Sequence, residues 1–184
     1  FRDAIQAALP EGTWLEPEEF DEARDPSPPE GALQIRCVRR KCVKGVVRMT
    51  AKVKDAQAKA ANNESADVWP FTATIGDALR ASVTAPDAAG IRRAWDCIRE
   101  NMRVIRLKNK FREAASRLAT DGSGAFTADL REGKNNMFPN LHINVLFQAE
   151  GCAPIVAEVQ IHHERVLAVS KQDHKLYEVI RAQS

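Results

Sequence analysis

Two carboxylates and a histidine on strand-like segments are the side chains in this sequence that are best placed to do chemistry together. Glu158 lies in residues 153–162, where apolar and polar side chains alternate. His142 lies in an apolar run shortly before it, and Asp77 lies in a third strand-like run. Alternation with a period of two predicts a strand that buries one face. If the three strands share a sheet, we expect Asp77, His142 and Glu158 to line one cleft.

A purely structural role is the alternative for each of these residues. An unpaired buried carboxylate is costly, so Glu158 needs a partner, which is a metal ion, Arg106, Lys108 or solvent. A histidine such as His142 is more often a hydrogen-bonded structural residue than a catalyst. Asp77 beside a glycine is also what a surface carboxylate at the start of a strand looks like. The residue types alone leave both interpretations open.

A basic stretch over residues 34–61 is the second candidate for binding chemistry. It holds nine lysines and arginines against one acidic residue, Asp55. Converging cations could hold a polyphosphate. A run of charge is also typical of a solvated helix face, and the run by itself favours that simpler interpretation.

The composition indicates an ordinary globular protein. The chain has 184 residues, of which 44% are hydrophobic and 28% are charged, and its net charge of +2 is no strong signal for nucleic-acid binding. No apolar run is long enough for a transmembrane segment. The four scattered cysteines predict free thiols in a reducing, intracellular compartment. A start at Phe1 instead of Met is expected of a protein imported into an organelle after removal of its transit peptide, and equally of a truncated chain.

The order of elements predicts an α+β domain, with a mixed β-sheet flanked by helices, over residues 34–184. Residues 1–33 are predicted to form an irregular, acidic and proline-rich arm that docks onto another protein, with an ordered tail packed on its own domain as the alternative. The long polar connection at 113–136 is a second candidate for docking a protein partner. The individual predictions are a short helix at 1–9, strands at 43–49, 73–83, 104–108, 140–148 and 154–162, and helices at 54–61, 84–101 (with Thr84 as a cap) and 164–182.

Six motifs follow one another along the sequence. They are Lys52-Val53-Lys54-Asp55, Asp77-Ala78-Leu79-Arg80-Ala81-Ser82-Val83, Arg106-Leu107-Lys108-Asn109-Lys110-Phe111, Phe138-Pro139-Asn140-Leu141-His142-Ile143-Asn144-Val145, Ala157-Glu158-Val159-Gln160-Ile161 and His174-Lys175-Leu176-Tyr177-Glu178. In order and spacing they resemble the synthetase-type domain of the RelA/SpoT family, a branch of the nucleotidyltransferase superfamily. The resemblance covers about residues 45–182, and its most specific part is the pair of Leu-His and Glu-Val-Gln-Ile segments.

The resemblance implies a Mg²⁺-dependent transfer of pyrophosphate from ATP to the 3′-hydroxyl of GDP or GTP. On this basis Asp77 and Glu158 are the catalytic carboxylates and the Mg²⁺ ligands, and a purine nucleotide (ATP, GDP or GTP) is the ligand. Two carboxylates on neighbouring strands suit Mg²⁺, because phosphoryl-type transfer depends on positioning and charge neutralisation. The implied nucleotide-binding residues are Arg48, Lys52, Lys54, Arg106, Lys108, Phe138, His142 and Gln160, with Phe138 at the position of the tyrosine that stacks on guanine.

Departures from the family pattern leave two hypotheses. Ser82 stands where the family has an arginine, and Ala58 and Asn62 replace the serine and a lysine of the ATP motif. The first hypothesis is a nucleotide-binding transferase, of pyrophosphokinase or nucleotidyltransferase type. The second is a catalytically decayed fold that serves as a structural or interaction subunit of a larger, organellar assembly. Under the first, Asp77→Asn is expected to abolish Mg²⁺-dependent nucleotide binding without changing the thermal midpoint.

Overall fold

The computed structural model describes residues 1–18, 27–37, 42–62, 75–121 and 138–171. Five helices and six strands lie in this part of the chain. In chain order they are α1 (Arg2–Ala8), β1 (Trp14–Leu15), β2 (Gln34–Arg36), α2 (Val46–Ala61), β3 (Leu79–Ala85), α3 (Ala88–Asn101), β4 (Arg103–Asn109), α4 (Lys110–Asp121), β5 (Asn140–Phe147), β6 (Ile155–His163) and α5 (164–171).

The six strands form one mixed sheet in the order β1-β2-β3-β6-β5-β4. The hairpin of β5 and β6 lies near its middle, and Gly151 takes a φ of +70° in the turn between them, a conformation that glycine adopts without strain. β3 runs parallel to β6, whereas β4 runs antiparallel to β5. The predicted α+β class with a mixed sheet and flanking helices is therefore confirmed.

The hydrophobic core lies on one face of this sheet. Ile143, Val159 and Val83 are fully buried there, as the alternation in their strands requires. Helices α1 and α3 cover the same face and contribute Ile5 and Ile98, which are also fully buried. The other face of the sheet is consequently free to carry polar side chains.

Three local predictions were wrong. Val43 forms an isolated bridge with Leu79, and α2 begins at Val46, so residues 43–49 are not a strand. Asp77 lies in the turn that precedes β3 and not within a strand. The cap of α3 is Asp87, whose Oδ1 accepts a hydrogen bond from Gly90 N at 2.6 Å, and not Thr84. Asp87 is three residues before that amide, the spacing at which a capping carboxylate can reach it.

The described part of residues 1–33 matches the alternative of an ordered tail on its own domain. Ile5 and Leu9 belong to the core, and β1 pairs with β2. Where the domain boundary falls, and whether this segment docks onto another protein, stay predictions. In the predicted 113–136 connection, residues 113–121 belong to α4. Residues 122–136 lie outside the described ranges, as do residues 172–182 of the predicted last helix. No helix within the described ranges is long and apolar enough to span a membrane.

Candidate functional site

The polar face of the sheet brings the predicted site residues onto neighbouring strands. Residues opposite each other in register share one face of a sheet, so the cross-strand pairs form rows across β3, β6, β5 and β4. The first row is Arg80, Glu158, Asn144 and Arg106; the second is Ser82, Gln160, His142 and Lys108; the third is Thr84, His162 and Asn140.

Asp77 is the centre of a cluster of side-chain cations. Lys52 Nζ lies 2.8 Å from both carboxylate oxygens of Asp77, and Arg80 Nη2 lies 3.2 Å from Oδ2. Lys44 also forms an ion pair with Oδ2. The side chain of Asp77 is only 10% exposed, which such partners make tolerable.

The backbone explains why these groups meet. The bridge between Val43 and Leu79, and a hydrogen bond from Lys44 N to Ala78 O at 2.9 Å, hold the start of α2 against the turn that carries Asp77. Asn144 on β5 donates to Gly76 O at 2.7 Å and fixes the same turn. A Cβ atom at Gly76 would lie 2.9 Å from Asn144 Nδ2, so a larger residue there would have to displace the side chain that makes this hydrogen bond.

Arg80 connects the two candidate carboxylates. Its Nε lies 2.8 Å from Glu158 Oε1, while its Nη2 contacts Asp77. Glu158 also accepts a hydrogen bond from Gln160 Nε2 at 2.6 Å and lies 3.4 Å from His142 Nδ1. Asp77, His142 and Glu158 therefore belong to one network, in which a guanidinium holds the carboxylates together. Their lining of one cleft stays a prediction.

The electrostatic surroundings keep both carboxylates ionised. Burial by itself raises the pKa of Asp77, but hydrogen bonds from Lys44 and Lys52 outweigh it, so the pKa lies below its usual value. Burial likewise raises the pKa of Glu158, and the hydrogen bond from His142 and the charge of Arg80 reverse the shift and lower it. Burial lowers the pKa of Lys44, with the neighbouring Lys52 acting in the same direction and Asp77 opposing it.

A hydrogen-bonded chain leads from Asn140 to Glu158 across the polar face. Asn140 Nδ2 lies 3.4 Å from His162 Nδ1, and His162 Nε2 lies 3.2 Å from Gln160 Oε1. Burial lowers the pKa of His162 to about 4, electrostatic interactions with His142, Lys110 and Arg80 act in the same direction, and Glu158 opposes them. His162 is therefore neutral at pH 7. The neutral tautomer with its proton on Nε2 accepts from Asn140 and donates to Gln160, which leaves the Gln160 amide free to donate to Glu158.

The lowered pKa of His162 predicts a loss of stability at mildly acidic pH. Below about pH 6.5 the unfolded chain binds a proton at this histidine that the folded protein excludes, so stability falls as the pH drops from 6.5 towards 4. We expect a loss of about 2 kcal/mol between pH 7 and pH 5 from this group. Urea unfolding at the two pH values measures it, and His162→Gln, which cannot titrate, is the control. An equal loss of stability in this variant would show that His162 is not the source.

A cleft of about 500 Å³ opens beside Asp77. We call it the Asp77 cleft; its lining is residues 42–48 at the start of α2, together with Asp77 and Arg80. The side chains of Lys52 and Arg80 are 48% and 42% exposed, whereas those of Asp77 and Glu158 are 10% and 12% exposed. Lys52 and Arg80 therefore lie at the accessible surface, whereas Lys44 is largely buried together with the carboxylates.

The predicted nucleotide-binding residues lie in two regions, one at α2 and the Asp77 cleft and the other on the sheet. Arg48 lines the Asp77 cleft, and Lys52 contacts Asp77 itself. Lys54 is exposed on α2. Arg106 and Lys108 lie on the edge strand β4, in the same rows as Glu158 and His142 but two strands away from β6, and Lys108 Nζ lies 4.0 Å from Glu113. Phe138 is half-buried just before β5, and its stacking role stays a prediction.

Sequence reasoning missed several members of the cluster. Lys44 was part of the basic stretch without a role, and Arg80 was noted for its place in the motif but not as a partner of the carboxylates. Asn144 was missed as well. For Arg80 a signal existed, because it lies three residues after Asp77 and in the strand that neighbours Glu158. Lys44 could not be found this way, because only the bridge between Val43 and Leu79 brings it to Asp77.

The two carboxylates do not fit a Mg²⁺ site as they are arranged here. Both oxygens of Asp77 accept hydrogen bonds from cations, and Arg80 takes the place between Asp77 and Glu158 that a bridging ion would need. In the described ranges no group of three or more His, Cys, Asp or Glu side chains is arranged to hold a metal ion. The metal-binding role of Asp77 and Glu158 stays a prediction from the motifs.

A solved structure shares this fold, and two others are similar to the chain. An aligned region of smu.1046c from Streptococcus mutans has a TM-score of 0.50 at 14% identity and covers 79% of this chain and 59% of that one. Small alarmone synthetase 1 from Bacillus subtilis, bound to its product pppGpp, has a TM-score of 0.49 at 15% identity, with 85% and 67% covered. A GTP pyrophosphokinase family protein from Streptococcus pneumoniae has a TM-score of 0.49 at 14% identity, with 83% and 61% covered.

At 14% identity the similarity to smu.1046c concerns the fold alone. The chain spans about three fifths to two thirds of the length of these proteins. No protein-family model and no curated protein matches the chain.

Proposed function

We propose that the Asp77 cleft binds the polyphosphate group of a purine nucleotide. One observation carries this proposal: Lys52 and Arg80 are about half exposed, while the carboxylates that hold them are buried. Lys44, Lys52 and Arg80 contact Asp77, Arg80 also contacts Glu158, and Arg48 lines the cleft. Four cations against two carboxylates leave a surplus of two positive charges. Phosphate oxygens are the natural partners of such a group, because ammonium and guanidinium donors bind them with charge-assisted hydrogen bonds.

The remainder of the cleft suits the nucleoside. Val46 and Val47 line it and are 80% and 84% exposed, so they offer apolar surface to a base. The preference for a purine comes from the RelA/SpoT-like motifs and not from these contacts. Arg106, Lys108 and Phe138 are proposed to extend the binding surface along the polar face of the sheet.

Isothermal titration calorimetry with GTP, GDP and ATP, and with guanosine and adenosine as controls, tests the proposal. We expect the di- and triphosphates to bind and the nucleosides to bind much more weakly, because the cations contact phosphate. The affinity should fall as the salt concentration rises, because exposed charges are screened. Equal binding of GTP and guanosine, or no binding of any nucleotide, would contradict the proposal.

A domain that binds nucleotide without catalysing a reaction is the second candidate, and the ion pairs of Asp77 and Glu158 favour it. Pyrophosphate or nucleotidyl transfer of the kind that the motifs imply needs Asp77 and Glu158 as free ligands of Mg²⁺. In the cluster these carboxylates anchor Lys44, Lys52 and Arg80 instead. Incubation with ATP and GDP or GTP in the presence of Mg²⁺ distinguishes an enzyme from a binding domain. Transfer of pyrophosphate to GDP or GTP would establish an enzyme. Nucleotide binding without transfer would establish a binding domain.

A further inference from the structure

We propose that the Asp77 cleft binds polyphosphate without a divalent metal, with Arg80 taking the place of the ion. The inference deepens the proposed function and rests on it. It starts from the disagreement between the motifs, which imply Mg²⁺ between Asp77 and Glu158, and the structure, which has a guanidinium between them.

The geometry of Arg80 is that of a bridging cation. Its Nη2 is 3.2 Å from Asp77 Oδ2 and its Nε is 2.8 Å from Glu158 Oε1, so one planar group contacts both carboxylates. A guanidinium has five N–H donors, and these two contacts leave others available. The side chain is 42% exposed, so the remaining donors can reach a ligand in the cleft.

The carboxylates act as anchors in this arrangement. Asp77 is in contact with Lys44, Lys52 and Arg80, and its side chain is 10% exposed. Three cations that share one anion are held close together in spite of their mutual repulsion. A polyphosphate that enters the cleft therefore meets cations that are already positioned, and it needs no Mg²⁺ to offset its charge.

The bridging position of Arg80 predicts how Mg²⁺ changes the affinity for polyphosphate. An ion bound to the polyphosphate reduces the negative charge that the cations attract, so Mg²⁺ should leave the affinity unchanged or weaken it. An ion at Asp77 and Glu158 would have to displace Arg80 from both contacts. A conventional metal site gives the opposite result, since the phosphates then bind through the ion.

Titration of GTP and of inorganic tripolyphosphate, with EDTA in one arm and millimolar Mg²⁺ in the other, tests the inference. We expect the wild-type protein to bind both ligands in EDTA at least as tightly as in Mg²⁺. Binding of GTP only when Mg²⁺ is present would overturn the inference and leave the proposed function standing. Absence of binding in both arms would overturn both.

Arg80→Gln supplies a sharper test, because it removes the bridging charge while Lys44 and Lys52 still pair with Asp77. We expect the affinity in EDTA to fall at least about tenfold. An unchanged affinity in EDTA would overturn the inference.

Two further variants keep the test interpretable. Arg92→Gln removes an arginine that is 85% exposed on α3, which packs on the opposite face of the sheet, and should bind like the wild type. Arg80→Lys keeps the charge but cannot bridge both carboxylates with a planar group, so it should bind in EDTA with an intermediate affinity. If Arg80→Gln fails to fold, Arg80→Lys carries the test, and wild-type affinity in this folded variant would overturn the bridging role.

Discussion

Replacing Asp77 with asparagine is expected to lower the free energy of unfolding by about 3 kcal/mol, because the change leaves buried positive charge without its anion. Lys44 accounts for most of this effect, since its side chain is 13% exposed, whereas Lys52 and Arg80 keep more contact with water. In a chain of this length the loss corresponds to a fall of roughly 6–12 °C in the thermal midpoint, which thermal unfolding without nucleotide measures.

Asp96→Asn is a matched control for this prediction. Asp96 also contacts two arginines, Arg92 at 3.7 Å and Arg99 at 3.5 Å, but its side chain is 38% exposed on α3. Exposed ion pairs contribute little, so its effect should stay within about 0.5 kcal/mol. If Asp77→Asn is as stable as this control, the cluster does not hold the start of α2 in place. The prediction replaces the unchanged midpoint that the sequence led us to expect.

The effect of Asp77→Asn should also depend on pH. The pKa of Asp77 is lowered in the folded protein, so its contribution to stability is fully present above its ordinary pKa near 4 and is lost as the pH falls through the folded value. The difference in stability between the wild type and the variant should therefore be constant from pH 6 to pH 8 and shrink below about pH 4.

Replacing Lys52 with glutamine is expected to weaken binding of GTP about 10- to 100-fold with little loss of stability. Lys52 Nζ lies 2.8 Å from Asp77, yet its side chain is 48% exposed, so it can contact a ligand while it stays paired with Asp77. Hydrogen bonds to charged groups contribute about 1.5–3 kcal/mol, which sets the size of the effect. Calorimetry measures the affinity, and thermal unfolding shows whether the variant is folded.

Lys59→Gln is the control on the same helix. Lys59 pairs with Asp55 at 2.8 Å, is 51% exposed, and lies about two turns beyond Lys52. Both changes remove one positive charge from α2, so a general electrostatic effect would weaken binding equally in both. A specific role for Lys52 predicts that only the Lys52 variant loses affinity, and equal losses would show that the helix attracts nucleotide by its net charge.

The sheet was predictable from sequence because its strands obey a simple rule. In β6 the buried residues Ala157, Val159 and Ile161 alternate with half-buried polar ones. This alternation of every second residue predicts both the strand and which of its faces is buried. The glycine-containing connection to β5 predicted the hairpin. In the structure His142 lies 3.4 Å from Glu158, and Arg80 connects Glu158 to Asp77.

The start of α2 was not predictable in this way. Val43, Val46 and Val47 are β-branched and favour a strand locally, but the helix begins at Val46 and leaves two of these side chains in solvent. The contact that decides the conformation is the bridge from Val43 to Leu79, a residue 36 positions away in the sequence. The role of Lys44 follows from that contact and was invisible for the same reason.

The ion pairs of the site also needed the structure. The sequence offered two carboxylates and an excess of cations, which is compatible with a metal site and with a cluster of salt bridges. A metal site or a cluster of salt bridges forms according to whether Arg80 contacts both Asp77 and Glu158. Arg80 lies 3.2 Å from Asp77 and 2.8 Å from Glu158, so the salt bridges form. The assembly, compartment and protein partners expected from sequence remain predictions.

A crystal structure with a non-hydrolysable GTP analogue, grown in excess Mg²⁺, tests the central claim most directly. The account predicts that the phosphate oxygens contact Lys52 and Arg80 in the Asp77 cleft, and that Arg80 still bridges Asp77 and Glu158. A Mg²⁺ ion bound by Asp77 and Glu158, with Arg80 displaced, would contradict it, as would phosphates bound away from this cleft.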